Sequence, residues 1–251
     1  MASQLNNSVI RGFAILDLFT PDRPQLSSGE VASALGMNNV TAHRFLKSLE
    51  AAGALIAVRK GQYRLGYRLL DLAARAADEH NLVSRLQPVL NELAEKVNES
   101  VMATRFDGRW TTCVATAYSS RAVAFNARIG ARFESHATAN GKIWLANLEP
   151  AAFKRYLDST PLERISENTL ADRDELVRDI EATRERGYAI NEQEREIDLH
   201  AVAVPIKSRE GVMVAGVSIF GPSARFDHKA SEAALPLLFE AAKSAQDVLY
   251  G

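Results

Sequence analysis

Cysteine, histidine and long apolar runs are scarce in this chain, and each scarcity excludes a class of protein. The single cysteine, Cys113, rules out an internal disulfide and a cysteine-based zinc site, and the five histidines lack metal-ligand spacing. No run reaches the roughly 18 uncharged apolar residues that a membrane span needs. The opening MASQLNNSVIRG contains no apolar signal core. We therefore expect a cytoplasmic protein with no metal, no other cofactor and no membrane partner.

The charge of the chain is balanced overall but not locally. Its 251 residues carry 30 basic and 31 acidic side chains, which alone predicts no nucleic-acid partner. Between residues 38 and 68, one acidic residue accompanies six basic ones, namely Arg44, Lys47, Arg59, Lys60, Arg64 and Arg68. Such a patch is typical of a DNA-binding domain, although an ordinary solvated face can have the same composition.

Two short capped helices in the first quarter of the chain favour DNA binding. Ser27 and Glu30 have the spacing of a capping box, and Gly36 can take the left-handed conformation that ends a helix. Asn38 or Asn39 then caps a second helix, whose inward positions hold Ala42, Phe45, Leu46 and Leu49. Two helices at this spacing form a helix-turn-helix, whose second helix fits the major groove.

A basic hairpin is predicted directly after the second helix. Residues 54–58 and 63–65 are β-prone, and the turn between them contains Gly61. A cationic wing of this kind can reach a phosphate or an adjacent minor groove. The DNA-contacting residues predicted on the helix and the wing are Asn38, Asn39, Thr41, His43, Arg44, Lys47, Arg59, Lys60 and Arg64.

The remaining two thirds of the chain predict a mixed α/β domain. Strands are expected at 101–105, 110–117, 122–127, 200–207 and 212–220. Helices are expected at 83–97, 138–148, after Pro150, from Asp172 to a stop at Gly187, and at 228–249. The charge-rich stretch 172–196 is interpreted as a solvated helix face.

Several segments together resemble IclR-type transcriptional regulators. In the first part of the chain these are SVIRGFAILDLF (8–19), TAHRFLKSLEAAGAL (41–55) and YRLGYRLLDLA (63–73). In the second part they are IGARFESHATANGKIWLA (129–146), RERGYAINEQE with AVAVPI (184–206), and GVSIFGPSARF (216–226). The resemblance implies an α+β chain: a winged helix-turn-helix (1–65), a linker helix (66–80) and a GAF/PAS-like effector-binding domain (81–251).

The resemblance also implies what this chain binds. Its partners would be double-stranded operator DNA, further copies of itself in a homodimer or tetramer, and a small effector that controls catabolic genes, more often by relieving repression. The effector pocket, carried over residue by residue, would be lined by Phe125, Phe133, Ala139, Asn140, Asn191, Leu199, Ala201, Ser218 and Phe220. Aromatic walls and the start of a helix near residue 138 favour a small, aromatic carboxylate.

Two residues depart from the family pattern. Asp198 stands where the family usually has glycine, and His200 where many relatives carry arginine or asparagine. A lone histidine can hydrogen-bond a ligand or a neighbouring side chain, and we expect the latter.

Three alternatives remain at the level of sequence. An α/β hydrolase with an accessory winged helix could use Cys113 with His136 or His200, although no Gly-x-Ser-x-Gly elbow, phosphate loop or His-Glu-x-x-His motif is present. The second domain could also serve only in oligomerisation. Finally, the narrow apolar seam of the linker helix can pack on a second copy or on its own chain. It is formed by Leu65, Leu69, Leu72 and Ala76.

Overall fold

The computed structural model describes residues 5–59, 61–77 and 82–251. Internal contacts divide the chain into two compact units, residues 1–80 and 81–251. Each unit encloses a hydrophobic core of its own, as expected of separate domains. Within the described ranges, every helix is too short or too polar to cross a membrane.

The first unit is a winged helix-turn-helix. Its elements are α1 (Asn7–Asp17), β1 (Leu26–Ser27), α2 (Ser28–Ala34), α3 (Asn39–Ala51), β2 (Leu55–Arg59), β3 (Gln62–Leu65) and α4 (Arg68–Ala77). The three strands form an antiparallel sheet in the order β1-β3-β2. Buried side chains from α1, α2, α3 and the sheet form the core, among them Ile15, Val31, Leu46 and Tyr63.

The caps predicted from the sequence are confirmed. Glu30 N donates to Ser27 Oγ over 3.3 Å, and Ser27 N donates to Glu30 Oε2 over 2.8 Å, which is a complete capping box. Gly36 follows α2 with a φ of +60°, and Asn38 Oδ1 accepts from Thr41 N at 2.8 Å. These local signals set the angle at which α3 leaves α2, and thereby which face of α3 reaches solvent.

The second unit is a six-stranded antiparallel sheet with helices on both faces. Its strands are β4 (Ser100–Phe106), β5 (Trp110–Ala117), β6 (Arg132–Glu134), β7 (Ala189–Glu192), β8 (Leu199–Lys207) and β9 (Met213–Pro222). Its α-helices are α5 (Leu82–Val97), α6 (Ala139–Ala146), α7 (Pro150–Ser159), α8 (Arg173–Arg186) and α9 (His228–Tyr250). The strand order is β6-β5-β4-β9-β8-β7, so the predicted mixed α+β class is confirmed.

The two faces of the sheet have different partners. Helices α5 and α9 pack together over one face and bury the larger core of aliphatic side chains. Helix α6 crosses the other face, with α8 behind it. A second core between α6 and the sheet contains Met102, Cys113, Ile143, Trp144 and Phe220. One end of this second core opens into the candidate site.

Helix α6 is buried along its whole length. A side chain at Gly141 would collide with the Ser135 carbonyl, so only glycine allows the close approach of these two segments. Lys142 on the same helix is 2% exposed, and its Nζ lies 2.6 Å from Glu194 Oε1 and 3.0 Å from Asp179 Oδ2. Because an unpaired buried ammonium is very unfavourable, these two acids determine where α6 can lie.

The strand predicted at 122–127 is wrong. Those residues are irregular, and the strand that follows β5 is β6, which begins at Arg132, ten residues after the predicted start at 122. Segment 130–134 occupies the free edge of β5: Cys113 N donates to Ala131 O at 2.9 Å, and Gly130 N donates to Cys113 O at 2.8 Å. The β-prone stretch 122–127 therefore has no edge to pair with there. Sequence reasoning also missed β7, the short edge strand after Gly187.

Candidate functional site

The face of α3 that points away from the core of the first unit is polar and basic. Asn39, His43, Arg44 and Lys47 are exposed, whereas Thr41 is half-buried. The Arg44 side chain has no hydrogen-bond or ionic partner among the described residues, so it is available to an external group. This is the surface of a helix-turn-helix that a major groove would meet.

Two of the predicted DNA-contacting residues on this face also have local partners. Asn38 uses its Oδ1 as the cap of α3. Lys47 donates to Glu50 Oε2 over 2.7 Å, and this hydrogen bond raises the pKa of Lys47, which therefore stays protonated at neutral pH. A solvated pair of this kind is weak enough to open in favour of a phosphate.

The wing contributes a further exposed cation at the end of β2, Arg59. Lys60 falls outside the described residues. Arg64 is half-buried: it donates to Leu65 O and to Tyr67 Oη, each over 3.1 Å, and its guanidinium lies 4.9 Å from the centre of the Tyr67 ring. Arg64 thus stiffens the exit from the wing, while Arg59 is free to meet a phosphate.

A cavity of about 310 Å³ lies in the second unit at one end of the sheet. It is bounded by the start of α6, strands β4, β8 and β9, the irregular segment 125–127 and the loop that follows β7. The structure brings all nine residues of the predicted pocket to its wall, namely Phe125, Phe133, Ala139, Asn140, Asn191, Leu199, Ala201, Ser218 and Phe220.

Buried amide groups give this apolar cavity its polar features. Asn140 Nδ2 donates to Ser218 Oγ, and Asn191 Nδ2 donates to Ala137 O, each over 2.6 Å. Both asparagines are 1% exposed, and neither Oδ1 has a hydrogen-bond partner within the described ranges. Asn140 Oδ1 lies over Gly216, where a Cβ would approach it to 2.6 Å. Since unpaired buried acceptors are unfavourable, the Asn191 oxygen is suited to a ligand donor.

Six further residues line the cavity and were not predicted: Met102, Asn126, Ala127, Thr138, Arg195 and Glu196. The interpretation of 172–196 as a solvated helix face is wrong beyond residue 186, where α8 ends. Glu194 is 5% exposed, and Arg195 packs 5.2 Å from the centre of the Phe133 ring. The sequence shows only a run of charged residues, and it does not reveal that Glu194 is buried or that Arg195 packs against an aromatic ring.

The two residues that depart from the family pattern lie just beside the cavity. Asp198 has a φ of +64°, a left-handed conformation that glycine adopts without strain. His200 lies outside the cavity, where its Nε2 is 3.0 Å from Ser231 Oγ, as expected of a structural histidine. Burial lowers the pKa of His200, which favours the neutral ring at pH 7.

Comparisons with known proteins agree with this geometry. Residues 8–56 match the IclR helix-turn-helix domain, and residues 74–247 match the domain described as bacterial transcriptional regulator IclR C-terminal. The chain belongs to the IclR family. It is thus a ligand-responsive, DNA-binding transcriptional regulator, which confirms the family resemblance seen in the sequence.

Individual relatives of this IclR-family chain match it over nearly the full length. The transcriptional regulator KipR of Bacillus subtilis is 32% identical and aligns with 96% of this chain and 94% of its own. The Pca operon regulatory protein of Acinetobacter baylyi is 30% identical, with 96% and 88% covered. The structure of an IclR homologue from Microbacterium hydrocarbonoxydans, complexed with 4-hydroxybenzoate, has a TM-score of 0.80 at 26% identity, with 96% and 98% covered.

The hydrolase alternative depends on Cys113, and its surroundings do not activate a thiol. Cys113 is fully buried on β5, and its Sγ is 3.6 Å from Ala115 O. The two candidate bases have other partners: His136 Nε2 is 3.0 Å from Glu163 O, and His200 contacts Ser231. Burial raises the pKa of the Cys113 thiol to about 11.

We predict that Cys113 is inert in the folded IclR-family protein. With a pKa of about 11, its thiolate is a very small fraction at pH 8, and alkylating reagents attack the thiolate. Iodoacetamide treatment followed by mass spectrometry should show no modification of native protein over the time in which urea-unfolded protein is fully alkylated. Equal alkylation rates in the two states would contradict this environment for Cys113.

Proposed function

We propose that this regulator represses catabolic genes by binding a pseudo-palindromic operator as a homodimer or tetramer, and that a small aromatic carboxylate in the cavity releases it. The observation that carries the proposal is the cavity itself: a space of about 310 Å³ with three phenylalanines in its wall. This volume is near the lower end of the range for small-molecule sites, about 300–1,000 Å³, and suits a single ring with short substituents.

The polar groups of the cavity support an acid that also carries a hydrogen-bond donor. The start of α6, at Ala139 and Asn140, lies in the wall of the cavity, and the positive end of the helix dipole there favours an anion in the cavity. Asn191 Oδ1 offers an acceptor to a hydroxyl. The relative complexed with 4-hydroxybenzoate and the relative named for the Pca operon suggest the same class of ligand.

Exposed apolar side chains of the first unit support dimerisation through the DNA-binding units, here called heads, of two chains. Val9, Ile10 and Phe13 on α1 and Leu70 on α4 are each more than half exposed. Contiguous apolar residues at such positions favour an interface with a second copy. Paired heads would place two α3 helices in successive major grooves.

The effector would act by binding unequally to the DNA-competent and DNA-incompetent arrangements of the oligomer, with α4 as the connecting element. This role contains no catalytic step. Support for that part of the proposal comes from Cys113: its thiol is buried, and the two candidate bases, His136 and His200, have other partners.

The direct test is operator binding measured by fluorescence anisotropy, using promoter DNA from the protein's own locus and a panel of acids that includes 4-hydroxybenzoate. We expect nanomolar-range binding that an acid of the panel weakens at least about fivefold, the lower end of typical allosteric coupling. The same acid at about 100 times its Kd should stabilise the protein by about 2.7 kcal/mol. Stabilisation without DNA release would contradict release of the operator by the acid, and absence of both effects would also contradict the proposed class of effector.

We further predict that Arg59→Ala changes the salt dependence of DNA binding. Losing one phosphate contact per head should reduce the slope of log K against log salt concentration by about 0.9 for each head. Arg178→Ala removes an equally exposed arginine from α8 and serves as the control. If Arg59→Ala and Arg178→Ala leave the same slope as the wild type, the wing does not contact phosphate.

A further inference from the structure

Two charged residues lie side by side in the wall of the effector cavity. Among the described lining residues, Arg195 is the only cation and Glu196 the only anion. Both belong to the loop between β7 and β8. The other polar residues of the wall are neutral, so any discrimination between charged and neutral ligands falls mainly to this pair.

Arg195 is held by a partner outside the cavity. Its Nε donates to Glu134 Oε2 over 2.9 Å, and its guanidinium stacks 5.2 Å from the centre of the Phe133 ring. Both contacts come from β6. The arginine is thereby fixed in orientation before any ligand arrives.

The second carboxylate on Arg195 is held much less firmly. Glu196 Oε1 accepts from Arg195 Nη1, but the Glu196 side chain is 53% exposed, against 23% for Glu134. Exposed ion pairs are weak because water screens them and the side chain loses conformational freedom. Arg195 Nη2 has no partner in the described part of the chain, so the guanidinium keeps an unused donor.

Hydrogen bonds hold the backbone at the base of the loop between β7 and β8, so that rearrangement within the loop falls mainly to its side chains. Gln193 and Asp198 both have left-handed φ values, and Asp198 N donates to Gln193 Oε1 over 2.9 Å. Gln193 N also donates to Leu199 O, which closes the base of the loop. With the base closed in this way, a change of partner at Arg195 needs only a rotation of Glu196.

We propose that Glu196 occupies, in the absence of effector, the position on Arg195 that the effector's carboxylate takes when it binds. When an acid enters, its carboxylate takes the Nη1 and Nη2 donors of Arg195, and Glu196 turns out into solvent, while Glu134 keeps Arg195 in place. Arg195 is then the residue that selects acids, and Glu196 sets how tightly they bind by competing with them. This inference rests on the proposed function of the cavity.

Isothermal titration of full-length protein with 4-hydroxybenzoate and with its neutral amide, 4-hydroxybenzamide, tests the exchange. Glu196→Gln removes the competitor and should tighten binding of the acid about three- to tenfold. Arg195→Gln should weaken it at least about tenfold, as expected for loss of charge-assisted hydrogen bonds. Binding of the amide should change less than about twofold in both variants, which also shows that their cavities remain folded.

Glu181→Gln on α8 is the matched control, because it makes the same change in net charge at an exposed position outside the cavity. Acid binding that is equal in the wild type, Glu196→Gln and Arg195→Gln overturns the inference while leaving the cavity as an effector site. A gain in Glu181→Gln equal to that in Glu196→Gln also overturns it, since the effect would be one of net charge. If the wild type takes up neither compound, the proposed effector class fails together with the inference.

Discussion

One buried ion pair joins parts of the second unit that line the cavity. Lys142 lies on a helix buried along its entire length, and its ammonium has Glu194 and Asp179 as partners. Burial raises the pKa of Glu194, and the charge of Lys142 opposes that shift. Because Glu194 immediately precedes Arg195, the same contact that positions α6 also anchors the loop that contributes Arg195 and Glu196 to the cavity wall.

The DNA-binding unit could be predicted nearly in full because its signals are local. The capping box at Ser27, the left-handed Gly36 and the Asn38 cap each concern residues a few positions apart, and the structure has all three. The edge strands β6 and β7 could not be predicted in this way. β6 pairs with β5 and β7 pairs with β8, at the two ends of the sheet. Which segment of the chain occupies such an edge is decided by a non-local competition.

For the cavity, too, some lining residues could be predicted from the sequence and others could not. Its nine predicted lining residues come from family resemblance, and the structure brings all nine to the cavity lining. Arg195 and Glu196 were missed, since a run of charges resembles a solvated surface unless the burial of its neighbour Glu194 is known.

The central claim is that the Lys142–Glu194 pair positions the two walls of the cavity, and a double-mutant cycle measures it directly. Lys142→Met, Glu194→Gln and the double variant would be unfolded in urea and followed by the fluorescence of Trp110 and Trp144, both in the second unit. Lys142→Met leaves the buried Glu194 carboxylate without this partner, and Glu194→Gln leaves Lys142 with Asp179 alone. The double variant should therefore lose less stability than the sum of the two, with a coupling of at least about 1 kcal/mol. Losses that add to within about 0.3 kcal/mol would contradict the claim.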